Sequence, residues 1–135
     1  MMKKQVHLEN INEIAKEIRS KLNKNTILII EGELGAGKTT LIKHIVGQDG
    51  HQAVSPSFLH LLLYGNNFAH IDAYTLQSKE ALFSLSIEEI LEERCLIVEW
   101  GELFLNELRI FDAKILHLII SIKDDNRFIE LKEIK

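Results

Sequence analysis

Residues 26–46 constrain the fold more than any other part of the chain. An unbroken apolar and β-branched run, Thr26-Ile27-Leu28-Ile29-Ile30, leads through Glu31 into a glycine-rich loop, and a helix-forming run follows from Thr39 to Val46. Strands that are apolar along their whole length are buried on both faces, as in parallel sheets covered by helices. The order of strand, glycine loop and helix therefore predicts an α/β domain with a parallel core.

The loop Gly32-Glu33-Leu34-Gly35-Ala36-Gly37-Lys38-Thr39 matches the G-x-x-x-x-G-K-[ST] pattern of phosphate-binding loops, in the required position between strand and helix. Its glycines permit backbone angles that turn successive N–H groups around phosphate oxygens. We expect Lys38 to reach the β- and γ-phosphates and the Thr39 hydroxyl to ligate Mg²⁺. The expected nucleotide contacts in the loop are Glu33, Leu34, Gly35, Ala36, Gly37, Lys38, Thr39 and Thr40. A strand-to-helix turn without a chemical role is the alternative.

Two carboxylates end neighbouring predicted strands. Glu99 follows the apolar strand Cys95–Val98, and Asp72 follows Phe68–Ile71. Because phosphate-loop enzymes orient the metal with an acidic group at a neighbouring strand end, we expect Glu99 at the metal. Asp72 is expected in the metal shell or at the attacking water. A capping or solvated carboxylate is the alternative for each, and His70 is more typical of a histidine satisfied within the fold than of a ligand.

Periodicity and turn residues predict the other elements. Helices are expected over 11–22, 39–46, 78–93 and 102–109, and strands over 26–31, 57–64, 68–72, 95–98, 114–122 and 127–134. Capping boxes are expected at Asn10 with Glu13 and at Ser86 with Glu89. Residues 1–135 are therefore expected to form a single P-loop NTPase-type domain of the α/β class. Its sheet would be mostly parallel, with antiparallel hairpins and flanking helices.

Composition narrows the class of protein. The 135 residues are 46% apolar and 27% charged, and the single cysteine, Cys95, is expected to be a small buried hydrophobe. No run approaches the apolar length of a membrane helix, about 18 residues, so we expect a cytoplasmic protein without a membrane partner. The net charge of −4 disfavours direct binding to long stretches of nucleic acid.

Missing motifs separate the classes of nucleotide enzyme. Neither a D-x-x-G segment nor an N-K-x-D base reader occurs, so guanine specificity is not expected. Kinases need several arginines around the transferred phosphoryl group, whereas those of this chain are scattered through the sequence. They are Arg19, Arg94, Arg109 and Arg127. With no arginine in reach, we expect slow hydrolysis until a partner completes the site. A small kinase and a non-catalytic nucleotide-sensing module are the alternatives.

Four ordered motifs resemble the TsaE (YjeE) family, small P-loop ATPases of bacterial tRNA threonylcarbamoyladenosine (t6A) biosynthesis. They are the loop at 32–40, Ser55-Pro56-Ser57-Phe58, His70-Ile71-Asp72-Ala73-Tyr74 and Val98-Glu99-Trp100. The resemblance spans about residues 8–134 and implies a weak Mg²⁺-dependent ATPase that binds ATP or ADP. It also implies activation by TsaB and TsaD. Contact with tRNA would be indirect, since TsaD transfers the threonylcarbamoyl group to the adenosine next to the anticodon.

The resemblance also implies roles for single residues. Ser57 replaces the usual threonine of S-P-T-F and keeps a hydroxyl for a switch-like role near the γ-phosphate. Asp72 matches an aspartate important for activity, Glu99 the metal-site glutamate, and Trp100 the tryptophan beside it, for which a packed aromatic is the alternative. The expected catalytic residues are thus Asp72, Lys38 and Glu99, and the expected metal ligands are Thr39 and Glu99. Thr75 departs from the family, which often has arginine there, so that any contact made by this arginine is weakened or replaced.

Overall fold

The computed structural model describes residues 1–33, 35–47 and 61–135, and the backbone of 52–54. Its strands are β1 (Met2–Val6), β2 (Thr26–Gly32), β3 (Gln52–Val54), β4 (Leu61–Tyr64), β5 (Phe68–Asp72), β6 (Cys95–Glu99), β7 (Lys114–Lys123) and β8 (Asn126–Glu133). Its helices are α1 (Ile11–Arg19), α2 (Lys38–Val46), α3 (Lys79–Phe83), α4 (Ile87–Glu93) and α5 (Leu105–Leu108), with 3-10 turns at Ala73–Thr75 and Gly101–Phe104. The predicted contacts Leu34 and Ser57, with the segment Ser55-Pro56-Ser57-Phe58, lie outside the described residues.

All eight strands of the described chain belong to one sheet, in the order β1-β8-β7-β2-β6-β5-β4-β3. The four central strands, β7, β2, β6 and β5, run parallel to one another. The strands outside them pair antiparallel on both sides, through β8 and β1 at one edge and β4 and β3 at the other. The α/β class and the parallel core are therefore confirmed, with antiparallel pairing extending further to both edges than the sequence indicated.

The central strands are buried on both faces, as their continuous apolar sequences predicted. In β2 the side chains of Ile27, Leu28, Ile29 and Ile30 are completely buried. Leu28 and Ile30 pack in a core with residues of α1 and α2, whereas Ile27 and Ile29 pack with residues of α3, α4 and α5. Helices thus cover both faces of the parallel core, which leaves the ends of its strands as the place for polar side chains.

Some local predictions are wrong. The helix predicted to reach residue 22 ends at Arg19, and neither predicted capping box forms. The Asn10 side chain accepts instead from the His7 N–H at 2.8 Å and donates to the Gln5 carbonyl at 2.8 Å. Asn10 therefore stabilises the turn before the helix, which competes with capping because the same short side chain can serve either backbone segment.

Two strands and one cap had no clear signal in the sequence. β1 is an edge strand whose residues are mostly exposed, so it lacks an apolar period, and β3 lies in a segment interpreted as a polar loop. Ser78 caps α3 by accepting from the Ala81 N–H at 3.1 Å.

No helix in the described ranges is both long and apolar enough to cross a membrane. Cys95 is buried as predicted, and burial raises the pKa of its thiol to about 12.

Gly101 lies where no side chain fits. A Cβ built there would lie 2.9 Å from both Cγ atoms of Ile29 and 3.2 Å from the Cβ of Val98. Both neighbours belong to central strands that cannot shift independently. We therefore expect Gly101→Ala to lower the free energy of unfolding by about 1–3 kcal/mol, the usual cost of overpacking a core.

Urea denaturation measures this effect, and Gly47→Ala is the matched control. A Cβ at Gly47 meets no atom of the described residues within 4 Å, and its φ of −60° suits alanine. The control should stay within about 0.5 kcal/mol of the wild type or gain slightly. Equal unfolding midpoints for the two variants would contradict the close packing at Gly101.

Candidate nucleotide site

The carboxyl ends of the parallel strands bring the predicted site residues together. Glu99, the last residue of β6, pairs in register with Ile30 of β2 on one side and with Asp72 of β5 on the other. Two residues beyond Ile30, β2 ends at Gly32 and the loop begins. Residues far apart in sequence therefore meet at one edge of the sheet, where open α/β sheets bind their ligands.

Two glycines of the loop have backbone angles that favour glycine. Gly35 and Gly37 have φ values of 82° and 100°, in the left-handed region that favours glycine. The Ala36 N–H donates to the Glu33 carbonyl at 3.0 Å, which closes a turn. Gly37 then caps α2, a helix of nine residues that begins at Lys38. The described part of the loop thus ends at a helix N-terminus, where anions are stabilised.

Lys38 is held against the loop and an aromatic ring. Its side chain is buried, its Nζ donates to the Gly32 carbonyl, and this ammonium lies 3.7 Å from the centroid of the Trp100 ring. Trp100 also packs on Tyr74, with ring centroids 5.2 Å apart. Trp100 is therefore an aromatic packed between Tyr74 and the predicted phosphate lysine, with its π-face toward the ammonium.

The backbone of Trp100 explains how its ring reaches Lys38. Trp100 has a φ of 59°, a left-handed conformation that costs a residue with a side chain roughly 1–3 kcal/mol. The Trp100 N–H donates to the Ile30 carbonyl at 3.0 Å, which holds this turn against β2. The turn directly after β6 therefore directs the indole across the end of β2 toward the loop.

Glu99 is a buried carboxylate with two side-chain partners. Its Oε2 accepts from His70 Nε2–H at 3.0 Å, and its Oε1 accepts from the Thr39 hydroxyl at 3.5 Å. Burial raises the pKa of Glu99, but the bond and charge of His70, together with Lys38 and Thr39, outweigh it and leave the pKa below the usual value. Glu99 is thus ionised at neutral pH, and the Nε2 of His70 is bonded to the predicted metal ligand itself, whereas its buried Nδ1 has no hydrogen-bond partner among the described residues.

Thr39 and Glu99 fit a magnesium ion. Both present oxygen, the donor that Mg²⁺ prefers, and their side-chain oxygens are 3.5 Å apart, close enough to share one small cation. No cluster of three or more histidine, cysteine or acidic residues suited to a metal occurs in the described parts of the chain. Magnesium commonly takes one or two protein ligands and completes its shell with phosphate oxygens and water.

Asp72 lies beside this pair and also has a local structural contact. One of its carboxylate oxygens accepts from the Tyr74 N–H at 3.1 Å and caps the 3-10 turn that follows β5. The hydroxyl of Thr75 donates to the Asp72 carbonyl at 2.8 Å. The structure therefore places Asp72 at the expected edge, and Thr75, which departs from the family pattern, supports the turn that carries it.

Arg127, one of the four arginines scattered through the sequence, contacts the loop, although no sequence signal indicated this. Its Nε donates to the Ala36 carbonyl at 3.1 Å, and its Nη2 donates to the Gly35 carbonyl at 3.2 Å. Arg127 lies 91 residues after Ala36 and 92 residues after Gly35, so no local sequence pattern could connect it with the loop. Only the position of the β7–β8 hairpin beside β2 brings them together.

A second group of titratable residues lies beside the loop and carries no sequence motif. His117 Nε2–H of β7 donates to the Glu31 carboxylate at 2.9 Å. Burial, followed by the charge of Glu31, raises the pKa of Glu102 above its usual value. The parallel register explains the hydrogen bond between His117 and Glu31, because His117 pairs with Ile29 and Glu31 follows two residues later in β2.

A cavity of about 630 Å³ opens next to the loop, on the side of the β7–β8 hairpin. The residues lining it include Gln5, His7, Gly37, Thr40 and Arg127. Its volume lies in the range of small-molecule sites, about 300–1,000 Å³. The N-terminal segment that forms one wall had no motif, so sequence reasoning could not assign it to the site.

Comparison with known proteins gives a consistent family. The sequence model of the family described as "Threonylcarbamoyl adenosine biosynthesis protein TsaE" matches residues 6–129. A tRNA threonylcarbamoyladenosine biosynthesis protein TsaE of Rickettsia felis is 32% identical over 126 residues, which cover 88% of this chain and 71% of the relative. The protein of the same name from Streptomyces coelicolor is 30% identical over 107 residues, covering 73% and 72%.

A solved structure supports the same assignment. The crystal structure of Bacillus subtilis YdiB superposes with a TM-score of 0.73 at 26% sequence identity. The match covers 99% of this chain and 86% of that one. The likeness therefore extends over the antiparallel edges of the sheet as well as its parallel core.

Proposed function

The chain belongs to the TsaE family of tRNA threonylcarbamoyladenosine biosynthesis, and on that premise we propose that it is a weak Mg²⁺-dependent ATPase activated by TsaB and TsaD. It binds ATP or ADP as a single domain and acts in the cytoplasm. Its net charge of −4 supports a division of labour in which the partner proteins hold the tRNA. In the threonylcarbamoyl modification of tRNA, its role is to couple ATP hydrolysis to the action of the complex with TsaB and TsaD.

One observation carries this proposal: Lys38, Thr39 and Glu99 converge at a glycine loop that ends in a helix N-terminus. Backbone N–H groups and Lys38 would hold the phosphates, while Thr39 and Glu99 would hold Mg²⁺, which neutralises charge on the β- and γ-phosphates when bound. His70 keeps the Glu99 carboxylate oriented, a second contact of the kind that tunes metal ligands. The cavity beside the loop supplies room for the nucleoside.

The reaction is transfer of the γ-phosphoryl group to water. A water oxygen forms a bond to the γ-phosphorus as the bond to the β–γ bridging oxygen breaks, and ADP leaves with that electron pair. We propose that Asp72, in register beside Glu99, orients the attacking water and accepts its proton. Lys38 stabilises the negative charge on the phosphate oxygens during transfer.

The hydrogen bonds of the four arginines support activation by a partner. Each donates to a backbone carbonyl: Arg19 to Ile45, Arg94 to Gly65, Arg109 to Ile134 and Arg127 to the loop. An arginine engaged in this way is not positioned to stabilise charge at the γ-phosphate. A cation supplied by another protein is a known way to complete such a site, and it accelerates hydrolysis by large factors.

Phosphate release, measured for the chain alone and with purified TsaB and TsaD, tests the proposal. We expect slow release alone, a clear rise with both partners, and loss of that rise in Asp72→Asn. The exposed Asp112 offers a matched control, Asp112→Asn, which should behave as the wild type. Unchanged turnover after the partners are added would refute the coupled ATPase. Phosphorylation of an added metabolite would indicate a kinase, and tight binding without release a sensor.

A further inference from the structure

We propose that Arg127 is a positioning residue that braces the phosphate loop for nucleotide binding, an inference that rests on the proposed function. The guanidinium donates to the carbonyls of both Gly35 and Ala36, two consecutive residues of the loop. In each peptide group the carbonyl oxygen, which accepts hydrogen bonds, lies on the side opposite to the N–H, which donates them. The contact therefore acts on the orientation of the loop's backbone.

The β7–β8 hairpin delivers Arg127 to this place. β7 pairs in parallel with β2, and Ile120 lies opposite Gly32, the last residue of β2. β7 continues past that point, and Arg127 of β8 pairs with Ile122, two residues or roughly 7 Å beyond the end of β2. Arg127 also pairs with Val6 of β1, so its backbone is held by strands on both sides.

The turn of the hairpin is specific. Asp124 and Asp125 have φ values of 52° and 64°, and two successive left-handed residues are typical of the tight turn whose twist matches antiparallel strands. Aspartate tolerates this conformation better than most residues with a side chain. The strand pairing on one side and this turn on the other leave Arg127 in a defined position above the loop.

The planarity of the peptide bond converts this contact into control of the loop's donors. In a trans peptide the carbonyl of one residue and the N–H of the next point in opposite directions. Holding the carbonyl of Ala36 toward Arg127 therefore turns the N–H of Gly37 away from it, and holding the carbonyl of Gly35 fixes the peptide whose Ala36 N–H closes the turn onto the Glu33 carbonyl. Glycine at 35 and 37 makes these peptides easy to rotate, so an external brace has a large effect on their orientation.

Arginine suits this task better than lysine. Its planar guanidinium presents several N–H donors in a rigid fork, and here Nε and Nη2 serve two adjacent carbonyls at 3.1 and 3.2 Å. The ammonium of lysine is a single point on a flexible stem and would not reproduce both bonds with the same geometry. A Cβ built on Gly37 would lie 3.7 Å from the Nε of Arg127, an ordinary van der Waals distance, so the guanidinium lies beside this part of the loop.

Titration calorimetry with Mg·ATP and with magnesium tripolyphosphate tests the inference, because the second probe has no nucleoside. We expect Arg127→Met to weaken binding of both probes by a similar factor of about ten, and Arg127→Lys to lie between Arg127→Met and the wild type. KM for ATP should rise with kcat nearly unchanged, since the lost interaction acts on binding. Arg109→Met, at an exposed arginine that donates to the Ile134 carbonyl, is the matched control and should bind as the wild type.

The result distinguishes failure of the inference from failure of the proposed function. Wild-type protein that binds neither probe refutes the proposed function and the inference with it. If the wild type binds both probes and Arg127→Met binds them with the same affinity, only the inference is refuted. A loss of affinity confined to Mg·ATP also refutes only the inference, and it would place Arg127 at the nucleoside. Urea midpoints measured without nucleotide show that the variants are folded. If Arg127→Met does not fold, Arg127→Lys must still weaken both probes about equally.

Discussion

Replacing Lys38 with methionine should lower the rate of ATP hydrolysis by on the order of 100- to 1,000-fold, with partner proteins present or absent. The ammonium lies at the junction of the loop and α2, next to Thr39 and over the ring of Trp100. Charge that stabilises phosphate oxygens during transfer is lost, whereas the buried aliphatic stem is kept. Phosphate release at saturating Mg·ATP measures the effect.

Lys43→Met is the control for Lys38→Met. Lys43 belongs to the same helix but is exposed, so its removal changes the net charge equally without touching the loop. The control should hydrolyse ATP at the wild-type rate. Since Lys38 donates to the Gly32 carbonyl, Lys38→Met should change the free energy of unfolding by no more than about 1–3 kcal/mol. If Lys38→Met hydrolyses ATP at a rate within about threefold of the wild type, Lys38 is not a catalytic residue.

Replacing Glu99 with glutamine should raise the Mg²⁺ concentration for half-maximal phosphate release by about 10- to 100-fold. Glutamine has nearly the same volume and can still accept from His70 Nε2–H through its carbonyl oxygen, so the packing around β6 is preserved. It loses the negative charge that attracts the cation. A magnesium titration at fixed ATP therefore separates the metal role of Glu99 from its structural contact.

Glu92→Gln is the matched control for this titration, because Glu92 is an exposed residue of α4. It should leave the magnesium requirement unchanged. If Glu99→Gln needs no more Mg²⁺ than the wild type but unfolds at lower urea concentration, Glu99 acts as a capping carboxylate and not at the metal. Thr39 and the phosphates would then hold the cation without an acidic residue from β6.

The loop and the parallel core could be predicted because their signals are local. A strand buried on both faces must be apolar throughout, as β2 is from Ile27 to Ile30, and glycine is needed where φ is positive, as at Gly35 and Gly37. The carboxylates at the ends of β5 and β6 followed from the same logic, since parallel strands end at one edge. The roles of Asp72 and Glu99 in catalysis stay predictions.

The environment of each site residue could not be predicted in the same way. His70 was expected to be a histidine satisfied within the fold, but only its Nε2 has a partner among the described residues, and that partner is Glu99. Trp100 reaches Lys38 only because a left-handed turn directs its ring across β2. These contacts depend on which strands are neighbours and on single backbone torsions, and neither leaves a periodic trace in the sequence.

The chain's local chemistry was therefore enough to predict a phosphate loop, the strand that precedes it and the helix that follows. The resemblance of four motifs predicted the family to which the chain belongs. Tertiary structure decided that Arg127, more than 90 residues away, braces Gly35 and Ala36, and that the N-terminal segment walls the adjoining cavity. A positive φ at glycine can be inferred from residue type, because glycine has no Cβ, whereas contacts across a sheet depend on strand order, which only the folded chain specifies.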